Sequence, residues 1–193
     1  VGNLYVGLLH YPVKNARQEV VASALTGLDL HDIARSAKTF GVERYFLVTP
    51  LASQRRIAKK MVAYWSAPDA RPANRAEALK NACVVATLGD SFAEIASCET
   101  ERPLLVATSA QQSSVAQIGY EKLRCDLESS ARPVYLLFGT GWGLANELLP
   151  KLDYGLPPIE GPGAFNHLSV RAAAAIILDR LRGQREKTTC QTI

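Results

Sequence analysis

The chain is 193 residues long, 48% hydrophobic and 21% charged, with 22 Lys+Arg against 18 Asp+Glu. This length, with a mean hydropathy near zero, suits one compact domain with a buried core and excludes a disordered chain. No apolar run approaches the roughly 18–20 residues of a membrane-spanning helix; the longest, Ala172–Leu178, stops at Asp179 and Arg180.

In chain order, short β-branched apolar runs predict strands at Leu4–Leu9, Arg44–Thr49, Cys83–Thr87, Leu104–Thr108, Val134–Phe138 and Tyr154–Ile159. Helical periodicity predicts helices at Leu30–Phe40, Ser53–Trp65, Ala76–Asn81, Phe92–Ala96, Val115–Leu127, Leu144–Lys151 and Leu168–Leu181. The Pro/Ala/Arg-rich stretch Ala67–Ala73 reads as a loop. Alternation of this kind implies an α/β fold, a mainly parallel sheet with helices on both faces. A single domain over residues 1–193 is expected, with no internal repeat. In such sheets ligands sit beyond the carboxyl ends of the strands, which directs attention to the loops after Thr49, Thr108, Phe138 and Ile159.

Val1–His10 lacks the basic stretch and cleavage site of a secretory signal. The cysteines, at 83, 98, 125 and 190, form no C-x-x-C and have no histidine at ligand spacing. A zinc site or disulfide scaffold is therefore not expected, and a reducing, cytoplasmic compartment is. The final Cys190-Gln191-Thr192-Ile193 resembles a prenylation box only superficially, since Gln and Thr are poor at its aliphatic positions.

Charge is unevenly spread. Residues 1–65 hold nine of the basic side chains but only four of the acidic ones. Arg55, Arg56, Lys59 and Lys60 stack as two i,i+4 pairs on one helix, either a solvated face or a phosphate-binding surface.

Three segments carry candidate chemistry. Phe138-Gly139-Thr140-Gly141-Trp142-Gly143-Leu144 follows a strand, and its alternate glycines let backbone approach a ligand closely. Its spacing is not the G-x-G-x-x-G of dinucleotide-binding folds, and no P-loop occurs. A second loop, Glu160–Phe165, runs into Asn166-His167-Leu168-Ser169-Val170-Arg171 and an Ala-rich helix. Asn166 and Ser169 are good helix N-cap types, and His167 and Arg171 share a face at i,i+4. Third, in Asp29–Gly41, His31, Arg35 and Lys38 form a cationic stripe beside the apolar one, with Asp32 a local partner for Arg35.

Together these segments resemble the three motifs of SPOUT-superfamily methyltransferases. Arg35 with Phe40-Gly41-Val42 matches the first motif, Phe138–Leu144 the second and Asn166–Arg171 the third. The strings LYVGLLHYPV, DLHDIARSA, FGTGWGL and NHLSVRAAAAIILDRL are similar to an uncharacterised bacterial family of RNA methyltransferases in that superfamily, and the similarity runs from about residue 4 to 183.

The resemblance implies a C-terminal trefoil knot, with roughly Leu137–Leu181 threaded through a loop and residues 184–193 as a tail. It implies S-adenosylmethionine in the knot, held by Phe138, Gly139, Gly141, Ile159, Gly161, Asn166 and Leu168, with Thr108 as a further contact. It also implies a homodimer whose active site draws residues from both subunits, with RNA (tRNA or rRNA) as substrate. Arg35 is the motif arginine and is expected to orient substrate, because a guanidinium is a poor base and a good phosphate or ribose ligand. Histidine titrates nearest neutrality, which makes His167 the candidate proton acceptor, with Ser169 beside it. The second motif of SpoU-type members carries a Glu between its glycines, where this chain has Thr140 and Trp142. Substrate is expected to be bound by the domain itself, through the Arg55–Lys60 face. The alternatives are a non-catalytic RNA- or ribosome-binding protein that keeps the fold, and a nucleotide-dependent oxidoreductase on an unknotted sheet.

Overall fold

The structure, a computed structural model, describes residues 1–67, 73–111 and 114–184. Six strands form one sheet: β1 (Leu4–Leu9), β4 (Arg44–Val48), β5 (Ala82–Val85), β6 (Leu104–Ala107), β7 (Val134–Gly139) and β8 (Tyr154–Gly155). Their order is β5-β4-β1-β7-β6-β8 and every pairing is parallel. β1 is central and buried along its whole length, which is why its sequence reads as a continuous apolar run.

The side-chain alternation of β1 splits the core. Leu4, Val6 and Leu8 face a large cluster built with α1 (Gly27–Thr39), α2 (Ala52–Trp65), α3 (Ala73–Leu79), α5 (Tyr120–Ser129) and α6 (Val170–Arg182). Tyr5 and Leu9 face a smaller cluster covered by α4 (Leu88–Ala96) and the 3₁₀ turn Asn146–Lys151. Helices do lie on both faces, but five cover one and a single α-helix covers the other. The thinner face is filled by aromatics: Phe46 and Phe92 each pack edge-on to Tyr135 with centroids 5.7 Å apart. The Tyr135 hydroxyl donates to Ser91 Oγ at 2.9 Å, so the phenol is buried without an unmet polar group.

The predicted helices differ from the observed ones mainly at their ends: α3 runs Ala73–Leu79 rather than Ala76–Asn81, α6 starts at Val170 rather than Leu168, and four further differences have local causes. The segment before Tyr120 is extended, because Ile118 N–H donates to Gly155 O and Gly155 N–H to Ala116 O along the sheet edge. The Leu144–Lys151 segment is a 3₁₀ turn from Asn146, since Leu144 is bridged to Val13 and Pro150 lacks an N–H. α4 starts four residues earlier than predicted, because Thr87 and Asp90 form a reciprocal capping box. α1 starts at Gly27, where Thr26 caps it. The last strand ends at Gly155 rather than Ile159, before Pro157 and Pro158.

A hairpin of β2 (Val13–Lys14) and β3 (Val20–Val21) was not foreseen. Of Ala67–Ala73, Ala67 is in a bend and Ala73 opens α3; the rest lies outside the described residues, as does Cys190–Ile193. No helix among the described residues is long and apolar enough to cross a membrane. The three described cysteines, 83, 98 and 125, are unpaired.

Gly7, in the middle of β1, lies under the Tyr135 ring: a Cβ there would stand 2.6 Å from the Tyr135 hydroxyl. Gly7→Ala is expected to destabilise the fold by about 1–3 kcal/mol through overpacking, measured as a lower denaturation midpoint at unchanged m-value.

Candidate functional site

Because the strands are parallel, β6, β7 and β8 deliver their carboxyl ends to one edge of the sheet. A cleft of about 980 Å³ opens there, walled by the glycine loop after β7, the loops after β6 and β8, and the first turns of α1 and α6.

The glycine loop is tightly folded. β7 ends at Gly139, where a Cβ would lie 2.6 Å from Leu144 N and 2.8 Å from Gly143 C, so only glycine permits this return. Gly141 and Gly143 have φ of +60° and +93°, in the left-handed region that favours glycine. Thr140 pins the loop to the end of β1: its N–H and hydroxyl both donate to Leu9 O, at 3.2 and 3.1 Å, and the hydroxyl also meets Ser23 Oγ.

Of the expected cofactor contacts, Thr108, Phe138, Gly139, Gly141, Ile159, Asn166 and Leu168 all border the cleft. Gly161 does not; it stands in open space on the exposed loop. Thr108 directs both donors, N–H and hydroxyl, at Leu137 O, at 3.0 and 3.1 Å. Asn166 Nδ2 donates to Ala110 O at 3.0 Å and thereby ties the third motif to the loop after β6.

His167 and Ser169 border the cleft too. Ser169 is the N-cap of α6 and accepts Ala172 N–H at 3.2 Å, the capping role its residue type suggested. His167 is exposed and packs edge-on to Phe165, with centroids 5.3 Å apart. Arg35 lies elsewhere, exposed on α1, six residues or roughly 9 Å of helix beyond the residue through which α1 reaches the cleft. It does not pair with Asp32, which instead stands 3.6 Å from Arg171 Nε.

That cleft residue is Asp29, which is not among the sequence-predicted site residues. Its side chain is only 8% exposed and accepts Arg171 Nη1 at 2.8 Å and the Thr26 hydroxyl at 2.7 Å. Its own N–H is accepted by Thr26 Oγ1 at 3.1 Å. The readable signal was Thr26-x-x-Asp29, a capping-box pattern at the start of a helix. His10, immediately after β1, was also overlooked. It is fully buried, neither ring nitrogen makes a hydrogen bond of good geometry, and Asp29 and the Leu8 backbone both act on it. Burial pushes its pKa below the usual histidine value, against the opposing pull of Asp29.

The basic helix face is present and unneutralised. Arg56, Lys59 and Lys60 are exposed on α2 and line a shallow groove with Arg55, whose Nη1 donates to Thr49 O at 2.9 Å. None of the four is in an ion pair among the described residues. α2 also starts without a side-chain cap or an acidic residue in its first turn, leaving its positive helix end uncompensated.

Comparison with known proteins decides the family. Residues 3–183 match the model of a family described as SAM-dependent RNA methyltransferase. The chain belongs to that family. S-adenosylmethionine is thus the methyl donor of the family whose glycine loop and cleft are described above. A tRNA (guanine-N(1)-)-methyltransferase of Oleidesulfovibrio alaskensis is 42% identical over 183 residues, which are 94% of this chain and 42% of that protein. The chain thus spans less than half the length of that relative. An uncharacterized protein of Aquifex aeolicus is 38% identical over 181 residues, 93% of this chain and 88% of that protein. In fold, the chain is similar to the TrmH/SpoU tRNA modifying enzyme of A. aeolicus, with a TM-score of 0.56 at 16% identity over 94% of this chain and 75% of that one. The likeness is one of fold.

Two outcomes follow from the cluster at the cleft wall. Arg171→Met strands a buried carboxylate, and unfolding free energy should fall by roughly 2–3 kcal/mol, below the range for a fully buried pair because Arg171 is partly exposed. For His10 the folded state resists protonation more than the unfolded one. Its contribution to stability is present above about pH 6.5 and is lost as pH falls toward the lowered folded value. His10→Phe should flatten the loss of stability between pH 7 and 5.5, read from denaturation midpoints across that range.

Proposed function

We propose that this chain transfers a methyl group from S-adenosylmethionine to RNA, with the cleft beyond β6, β7 and β8 as the donor site. The observation that carries the reading is the glycine loop Gly139–Gly143, folded at the carboxyl end of a central parallel strand in a chain whose family is matched almost end to end.

The residues fit the donor. A cleft of about 980 Å³ has room for a cofactor-sized molecule. Ile159 and Leu168 offer apolar surface for an adenine, and close backbone approach at Gly139 and Gly141 suits polar groups of the donor. Bound there, S-adenosylmethionine supplies a methyl group on a positively charged sulfur, ready for in-line attack. What the protein adds is mainly position, because holding donor and acceptor in line removes most of the entropic barrier.

Arg35 is assigned to substrate orientation, presenting a planar five-donor fork to phosphate or ribose. Its distance from its own cleft suits action on the cleft of a second subunit, so the working form is a homodimer. His167 is assigned as proton acceptor where the attacking group must lose a proton, with Ser169 fixing the helix start beside it. The exposed Arg56, Lys59 and Lys60, with Arg55, form a phosphate-tracking face for RNA. Residues Leu137–Leu181 form the knotted segment. Two features support this reading: β8 pairs outside β6, and α6 returns to pack against α1 and α5. tRNA is the first substrate to test, since relatives of this chain carry tRNA methyltransferase names, and the expected compartment is the cytoplasm.

Calorimetric titration with S-adenosylhomocysteine should show one site per chain. Gly139→Ala should weaken it at least about tenfold while circular dichroism stays native, as the loop must reopen around the added methyl group. Absence of binding by the wild-type protein at millimolar ligand sinks the reading.

A further inference from the structure

The glycine loop does more than wall the cleft. Its tip carries Trp142, which is 58% exposed although it is one of the largest apolar side chains in the molecule. Two features of the backbone hold it there. Gly143 N–H donates to Thr140 O at 3.1 Å, closing a turn with Gly141 at φ +60° in its first corner and Trp142 next. The turn is then clamped to the β2–β3 hairpin: Trp142 N–H donates to Lys14 O at 3.0 Å, and Lys14 N–H to Gly143 O at 2.9 Å. Val13 bridges Leu144 in antiparallel fashion, and Ala145 N–H donates to Pro12 O at 3.1 Å.

The backbone of Trp142 is thus held at the mouth of the cleft by strand-like segments, and its indole stands exposed there. The hairpin that clamps it also carries cations. Lys14 borders the cleft with Trp142, Arg17 is exposed at the hairpin tip, and neither is in an ion pair among the described residues. The one carboxylate of the hairpin, Glu19, accepts Asn15 Nδ2 at 2.7 Å. An exposed indole on a clamped backbone, with Lys14 lining the same cleft and Arg17 on the same hairpin, suits a ligand with an aromatic face and a negative backbone. A nucleotide within an RNA strand has that chemistry: its base stacks on an aromatic ring while its phosphates take the cations. An adenosyl donor lacks the phosphates.

We propose that Trp142 is the stacking platform for a base of the RNA substrate, at or next to the methylated nucleotide, with Lys14 and Arg17 holding the adjoining phosphates. This rests on the methyltransferase reading above and adds the residue that seats the substrate.

The chain has two tryptophans, so Trp65→Phe leaves Trp142 as the sole indole fluorophore. In that background bulk tRNA should quench the emission, whereas inorganic polyphosphate, which offers charge without bases, should not. Trp142→Ala should weaken tRNA binding roughly 5- to 100-fold, the range for loss of one base–aromatic stack. Trp142→Phe should recover most of the loss, and affinity for S-adenosylhomocysteine should stay within threefold of wild type in both. The proposal is overturned if Trp142→Ala leaves tRNA affinity unchanged. It is also overturned if only S-adenosylhomocysteine affinity falls, which makes Trp142 part of the donor wall. A third contrary result is emission that responds to protein concentration and not to tRNA, which makes Trp142 a contact between copies. Failure of the wild-type protein to bind S-adenosylhomocysteine, with Trp142 still quenched by tRNA, defeats the methyl-transfer reading and leaves the platform standing. Failure to bind tRNA at all defeats the platform.

Discussion

All six strands of the main sheet run in one direction, and much of the rest follows from that. A parallel pair cannot be closed by a short turn, so each connection must cross the sheet, and here most of the crossings carry helices. The loops that leave the carboxyl ends of β6, β7 and β8 therefore gather at one edge, however far apart they lie in sequence. Thr108, Gly139 and Gly155 are neighbours in space for this reason. The cleft is a consequence of strand direction before it is a consequence of any particular side chain.

The Asp29–Arg171 pair then fixes how the two helices that close the cleft meet. A carboxylate in the first turn of α1 is favoured by the helix dipole and by the Thr26 cap. An arginine in the first turn of α6 is disfavoured by the same dipole, and nothing on its own helix compensates it. Arg171 is stabilised from outside, by Asp29 at 2.8 Å and Asp32 at 3.6 Å, both on α1. An element from the first forty residues thereby determines where an element from the last twenty-five begins. Asp29 also acts on the buried ring of His10, just beyond the end of β1.

Where a signal was local, it was legible. The central strands were readable because burial on both faces makes their sequences uniformly apolar, and β1 and β7 came within one residue of their predicted bounds. The glycine loop was readable because glycine at alternate positions has few other uses. The β2–β3 hairpin was hidden: its strands are two residues each, and its polar tip looks like any loop. The 3₁₀ turn carried a helix-like apolar pattern, and its departure from helix depends on Leu144 being held by Val13, far away in sequence. Asp29 and His10 were passed over for a related reason. A first-turn aspartate and a histidine at a strand end are ordinary in sequence, and only tertiary burial makes them unusual. Arg35 is picked out by its motif alone, since in the structure it is exposed on α1 away from the cleft.

The treatment of helix starts separates structural from functional charge. α1 and α4 are each closed by a threonine cap and an aspartate three residues on, which satisfies free N–H groups and offsets the dipole. α2 has neither, and its first three turns carry Arg55, Arg56, Lys59 and Lys60 and no carboxylate. For stability alone this is the wrong sign at that end of a helix. α2 begins just after β4 ends, at the same edge of the sheet as the cleft, so its positive potential faces the side where an RNA would arrive. On the proposed reading the two basic features do different work. The α2 face attracts any phosphate backbone and is sensitive to salt. The hairpin cations hold phosphates only next to an exposed indole, where a base must also fit. Long-range attraction without selectivity and short-range seating with it are thus assigned to separate elements, and the cleft between them need only hold the donor.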